Sequence, residues 1–223
     1  MAYILNIETS TTNCSVALSK NGTVVGLKED NSLEYSHAER LHVYIDEVLK
    51  TVKVSKDQLE AIAISKGPGS YTGLRIGVSA AKGLCYALSL PLISIPTLEA
   101  LAHQVENPNG VVVAMLDARR LEVYSAIYDG NFQETRTTEA EIITSESYRE
   151  LLESSAVYFI GNGVAKTKAL ITHQNAHFIE NKLPSAQQMC ALSFDKFKSN
   201  TFEDVAYFEP FYLKDFIAIP SKK

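Results

Sequence analysis

The chain has 223 residues, with 21 Lys plus Arg against 26 Asp plus Glu, a formal charge of −5. A chain of this length buries roughly 70% of its unfolded surface, enough for one large core or two small ones, which excludes disorder. No apolar run approaches the ~18 residues of a membrane helix, and the start lacks the basic and apolar regions of a signal peptide, so a cytoplasmic protein is expected. The negative balance disfavours strong unaided binding to nucleic acid and leaves room for a local basic patch only. Cys14, Cys85 and Cys190 have no metal or redox spacing and read as reduced, buried thiols.

The chain opens as a three-stranded meander: Tyr3 to Ile7, Ser15 to Leu18, and Thr23 to Leu27 after an Asn21-Gly22 turn. Leu41, Ile45, Val48 and Leu49 then recur at helical spacing, with Ser36 and Glu39 as a capping pair, which predicts a helix from Ser36 to about Val52. Ala61 to Ser65 reads as a buried strand. The Gly-rich stretch Lys66-Gly67-Pro68-Gly69-Ser70 leads into a helix from about Tyr71 to Leu88. A strand at Pro91 to Ile95 and a helix from Pro96-Thr97 to Val105 follow, and Asn107-Pro108-Asn109-Gly110 marks a domain boundary. The order then restarts with strands at Val111 to Leu116 and Glu122 to Tyr128. Shorter strands are expected at 142–143, 157–160 and 177–179, with helices near 146–152, 164–171 and 185–197.

Both halves open on an apolar strand ending in a carboxylate and then alternate strand with helix. This weak duplication favours an α/β protein of two lobes, each β-β-β-α-β-α, over a single doubly wound sheet. The lobes would span 1–106 and 107–208, with 209–223 completing the first.

Three constellations could carry chemistry. The strand, Gly turn and helix N-terminus at 65–71 could hold an anion, although the spacing fits neither the P-loop nor a dinucleotide fingerprint, and the glycines could simply make the turn. Within the following helix Gly73, Gly77 and Ala81 share one face beside Ala80; helical glycine costs about 1 kcal/mol, so a close neighbour is expected, either in the same lobe or from another chain. Glu8 and Asp117 end equivalent strands, where they could face each other across a cleft and hold Mg²⁺ through water, or could merely cap turns. His37 and His42 lie five residues apart and diverge on a helix, so neither they nor His173 and His177 form a convincing metal pair.

Ile4-Leu5-Asn6-Ile7-Glu8-Thr9-Ser10-Thr11, the run Gly67-Pro68-Gly69-Ser70-Tyr71-Thr72-Gly73-Leu74-Arg75-Ile76-Gly77 with Ala81-Lys82-Gly83-Leu84, and Asp117-Ala118-Arg119-Arg120 with Glu122-Val123-Tyr124 resemble the bacterial TsaB (YeaZ) family. Gly161-Asn162-Gly163 and Pro210-Phe211-Tyr212-Leu213 fit as well, so the resemblance spans essentially the whole chain. It implies the acetate kinase, sugar kinase, Hsp70 and actin fold, related to ribonuclease H. It also implies membership of the machinery that makes N6-threonylcarbamoyladenosine (t6A) in tRNA.

The resemblance sharpens the question of catalysis. Where the related TsaD proteins carry a His-x-x-x-His metal pair, this chain has Thr97 and Leu101, and where actin-like ATPases favour Asp-x-Gly it has Asp117-Ala118-Arg119. The expectation is therefore a non-catalytic scaffold without a cofactor of its own, with ATP and a metal ion on partner subunits. It would dimerise with TsaD, meet a TsaE-type ATPase and reach tRNA only through the complex. The implied contact, to TsaD or to a second copy when TsaD is absent, comprises Tyr71, Gly73, Leu74, Gly77, Ala80, Ala81, Leu41 and Ile45. A vestigial nucleotide cleft would involve Glu8, Thr9, Ser10, Asp117, Gly161 and Gly163. The alternative is an autonomous actin-like kinase or ATPase using Glu8, Asp117 and the Gly161-Asn162-Gly163 turn.

Overall fold

A computed structural model describes residues 1–30 and 37–214. The first sheet comprises β1 (Tyr3–Glu8), β2 (Cys14–Lys20), β3 (Thr23–Asp30), β4 (Ala61–Ser65) and β5 (Leu92–Ile95), in the order β3-β2-β1-β4-β5. The first three strands are antiparallel, and β4 and β5 run parallel to β1. The second sheet repeats this topology with β6 (Val111–Asp117), β7 (Glu122–Tyr128), β8 (Glu134–Ile142), β9 (Val157–Ile160) and β10 (Ala176–Ile179), in the order β8-β7-β6-β9-β10. The duplication expected from the sequence is thus present strand for strand, and the architecture is two-lobed α/β.

Both faces of each sheet are covered, which is why β1 and β6 are apolar runs and not alternating ones. Leu5 and Ile7 of β1 face α1 (His37–Val52) and α2 (Tyr71–Leu88), while Ile4 faces the opposite side. In α1 the buried residues Leu41, Tyr44, Ile45, Val48 and Leu49 form one stripe, and each such aliphatic side chain contributes roughly 1.5–3 kcal/mol by leaving water. The Ser36 cap expected for this helix lies outside the described residues. Helix α2 starts at Ser70, whose hydroxyl accepts from the Gly73 N–H at 3.3 Å, and ends at Ser89 in the left-handed conformation.

Two helices sit where the sequence did not put them. Helix α6 (Ala186–Lys198) was expected in the second lobe, yet Ala186, Met189 and Cys190 pack on the far face of the first sheet with Ile4, Ala17 and Ile93. Helix α3 (Thr97–Ala102), expected in the first lobe, buries Leu98, Leu101 and Ala102 against Val112, Ala114 and Leu116 of the second. The lobes therefore exchange helices, and the boundary at 106/107 separates the sheets without separating their cores. Helices α4 (Arg149–Ser154) and α5 (Val164–Lys168) cover the second sheet's other face through Leu152 and Val164.

The segment after α6 returns to the first lobe. Glu203 pairs with Leu92, Val205 and Phe208 pack on the first core, and the Phe211 N–H donates to the Lys66 carbonyl at 2.7 Å. Of the 209–223 stretch expected to complete that lobe, residues 215–223 lie outside the described part. The three cysteines are free and buried, and burial pushes their thiols up to about 11 for Cys14 and about 12 for Cys85 and Cys190. No helix among the described residues is long and apolar enough to cross a membrane.

Candidate functional site: the interlobe cleft and the outer helix face

An open cleft of about 430 Å³ lies between the lobes, bordered by the β1–β2 turn, the Pro68 to Thr72 segment, the β6–β7 turn and residues 211–214. Of the six residues expected to line a vestigial nucleotide site, only Ser10 and Asp117 do so. Glu8 does not face Asp117. It is 0% exposed beneath its own turn, where Oε1 accepts from the Ser10 N–H at 2.5 Å and Oε2 has no partner. Burial holds its carboxyl above the ordinary value of 4.5, opposed by the Ser10 N–H bond, which favours the anion. Thr9 is also buried, and its hydroxyl donates to the Gly73 carbonyl at 2.8 Å.

Asp117 is exposed but spent on its own loop. Its Oδ1 accepts from the Arg119 N–H at 2.6 Å and from Lys166 Nζ at 2.7 Å, and its own N–H donates to Asn162 Oδ1 at 2.8 Å. Lys166 also donates to the carbonyls of Arg120 and Glu122 at 2.6 and 3.0 Å. Gly161 and Gly163 are buried. Gly161 has φ +119°, and a Cβ there would meet the Met115 carbonyl at 2.0 Å, so it seats the β9–α5 turn on β6 and approaches no ligand.

The anion site considered at the Gly-rich turn is filled by protein. Ser70 caps α2 with its own hydroxyl, and its N–H donates to the Ser10 carbonyl at 2.6 Å. A Cβ at Gly69 would meet that carbonyl at 2.4 Å. Thr97, at the first metal-ligand position of TsaD, closes the same turn instead: its hydroxyl accepts from the Gly67 N–H at 3.1 Å. Leu101, at the second, is fully buried in the second core. His37 is buried with Nε2 2.7 Å from the Thr11 carbonyl, so that nitrogen donates, and His42 on the same helix is exposed.

The close neighbour required by the glycines of α2 is the end of β1 and not another helix. A Cβ at Gly73 would stand 2.2 Å from the Thr9 carbonyl, and one at Gly77 2.2 Å from the Thr9 hydroxyl. Gly73, Leu74, Gly77, Ala81, Leu41 and Ile45 are therefore buried in the chain's own first lobe. Tyr71 borders the cleft and Ala80 is half-buried. The opposite face of the α1–α2 layer is exposed: Val43 is 50% and Tyr86 87% accessible, with Ser79, Gly83 and Ala87 between. Gly83 has nothing among the described residues within 4 Å of its missing Cβ, so none of them compensates its helical cost. Its position between Ala80 and Ala87 is the signal that sequence reading passed over in favour of Gly73 and Gly77.

A family model described as TsaD, tRNA N6-adenosine threonylcarbamoyltransferase, matches residues 32–220. The tRNA threonylcarbamoyladenosine biosynthesis protein TsaB of Escherichia coli K12 is 32% identical over 99% of both chains, and that of Haemophilus influenzae 30% identical over 95% of this chain and 93% of its own. The solved structure of YeaZ from Pseudomonas aeruginosa superposes with a TM-score of 0.85 at 26% identity, covering 96% of this chain and all of that one. The ADPNP-bound activator of 2-hydroxyisocaproyl-CoA dehydratase from Clostridium difficile, 10% identical with a TM-score of 0.51, shares the fold alone. Matched from end to end by curated relatives, the chain belongs to the TsaB (YeaZ) family.

Proposed function

We propose that the chain is a non-catalytic subunit of the assembly that makes threonylcarbamoyladenosine in tRNA, and that it acts by docking on and activating the TsaD-type transferase. The observation that carries this reading is the contrast between filled chemistry and bare surface. Positions where a relative would hold a metal or phosphate are occupied by packing or internal hydrogen bonds: Glu8, Thr97, Leu101 and Asp117. Among the described residues nothing covers Val43, Gly83, Tyr86 and Ala87 on the outer α1–α2 face.

A stripe of Ala80, Gly83 and Ala87 lets a second helix pair approach closely, so dispersion contacts accumulate along two helix lengths, with Val43 and Tyr86 as larger anchors. The same face would pair two copies of this chain when the transferase is absent. ATP and a metal ion belong to the partners in this reading, the TsaE-type ATPase joins the composite particle, and the modification chemistry occurs on the transferase. Co-purification with the transferase tests it. The double variant Gly83→Arg/Ala87→Arg, at two exposed positions, is expected to keep the wild-type melting temperature and weaken partner binding at least 100-fold, about 2.7 kcal/mol. Wild-type binding by this variant would refute the outer-face seam.

A further inference from the structure

Strand β8 is an open edge of the second sheet: it pairs with β7 on one side, and among the described residues no strand pairs with the other. Such an edge presents backbone donors and acceptors to any strand of suitable chemistry. At its Ile142 end two large aliphatic side chains are bare, Leu121 at 54% and Ile142 at 66% accessible. They share one corner, because Glu122 pairs with Ile142 and the Leu121 carbonyl accepts from the Ile143 N–H at 3.0 Å. Further along β8, Glu141 is paired with Arg136, whereas Glu134 and Glu139 have no ion pair among the described residues.

The described part of the chain ends at that corner. The segment after α6 is fastened along the first lobe: Lys82 Nζ donates to the carbonyls of Ala206 and Phe208 at 3.1 and 2.9 Å, and Arg75 Nε to the Tyr212 hydroxyl at 3.3 Å. Two residues later the chain has crossed to the second lobe, where Lys214 is paired with Glu122. Its sequence continues, outside the described residues, through Phe216-Ile217-Ala218-Ile219-Pro220 to Lys222-Lys223. We propose that residues 216–219 add to the open edge of β8 as a sixth strand, so that the C-terminal segment clamps the first lobe to the second sheet.

Reach, chemistry and charge select this occupant. Three extended residues span roughly 10 Å, which is two strand spacings of about 4.8 Å, the step from β7 at Glu122 to the far side of β8. The run Phe-Ile-Ala-Ile is apolar on both faces of a strand and rich in strand formers, which suits the bare corner at Leu121 and Ile142. Pro220 lacks an N–H and ends the pairing. A strand that starts beside Ile142 and runs antiparallel to β8 carries Lys222 and Lys223 toward Glu139 and Glu134, where opposite charges attract.

Amide hydrogen exchange of the full chain, compared with a chain that ends at Lys214, tests the clamp without any partner subunit. The β8 amides that point away from β7 should exchange at least about tenfold more slowly in the full chain, and truncation should abolish the difference. Ile217→Pro, at full length, removes a backbone donor from the added strand and should release the same amides, while Ile217→Val should leave them protected. Strand β3, the open edge of the first sheet, should exchange alike in every variant. Equal β8 exchange with and without residues 215–223 would overturn the proposal. So would protection that survives truncation and rises with protein concentration, which marks a second copy at the edge, or a loss of protection that reaches β3 equally. The outer α1–α2 face takes no part in this measurement, so failure of one reading leaves the other standing.

Discussion

The two faces of α2 carry glycine for opposite reasons. On the inner face Gly73 and Gly77 admit the carbonyl and hydroxyl of Thr9, so the helix rides directly on the end of β1. On the outer face Gly83 admits nothing from the described residues. The lesson is that a small residue in a helix records a close neighbour without saying whose, and only the identity of the approaching atoms separates a fold requirement from a docking surface.

The inner face should break first. Gly73→Ala places a methyl group 2.2 Å from the Thr9 carbonyl, beside the Thr9 hydrogen bond, and should cost about 3 kcal/mol of stability by thermal unfolding. An unchanged melting temperature would mean that the β1 end yields and that the inner face is not a fixed contact. The outer face should behave oppositely. Gly83→Ala should stabilise the isolated chain by about 1 kcal/mol, because helix propensity improves with no clash.

The third contrast concerns Glu8, which the inner packing seals. A carboxyl whose folded-state value is raised binds its proton more tightly when folded, so its contribution is fully present below 4.5 and declines as pH rises through the raised value. Glu8→Gln keeps an acceptor for the Ser10 N–H and has no charge to bury. Stability measured against pH should lose that decline, and the variant should match or exceed the wild type at neutral pH. A wild-type profile in the variant would place the titration elsewhere.

Much of this arrangement is legible in the sequence because local chemistry and global position agree. The Asn21-Gly22 turn, the 3–4 spacing of α1 and the Gly-Pro-Gly-Ser entry to α2 each specify an element without reference to the rest of the chain. Strand β8 was not legible beyond its last residue: Glu-Thr-Arg-Thr-Thr-Glu-Ala-Glu-Ile is polar on both faces, since an edge strand with one partner has little apolar surface to announce it. Its Arg136, Glu141 and Tyr148 network, with Tyr148 OH 2.5 Å from Glu141 Oε1, replaces apolar packing at that edge.

The exchange of α3 and α6 between lobes was illegible for another reason. An amphipathic pattern states that a helix has a buried face and not which sheet receives it; what fixes α6 is long-range bonding, such as Asn13 Nδ2 to the Pro184 carbonyl at 2.9 Å and Ser185 to Glu29 at 2.7 Å. At the cleft, sequence could pair Glu8 with Asp117 by symmetry. It could not reveal that one is sealed beneath its turn and the other bound to Lys166, because both facts depend on residues remote in the chain.

Reconstituted modification tests the docking account most directly. The transferase and its ATPase partner, with tRNA, threonylcarbamoyl donor and ATP, should form little modified nucleoside alone and much more when this chain is added. The Gly83→Arg/Ala87→Arg variant should restore none of the increase, while Gly83→Ala folds normally. Full activity without the chain, or full stimulation by the arginine variant, would contradict it.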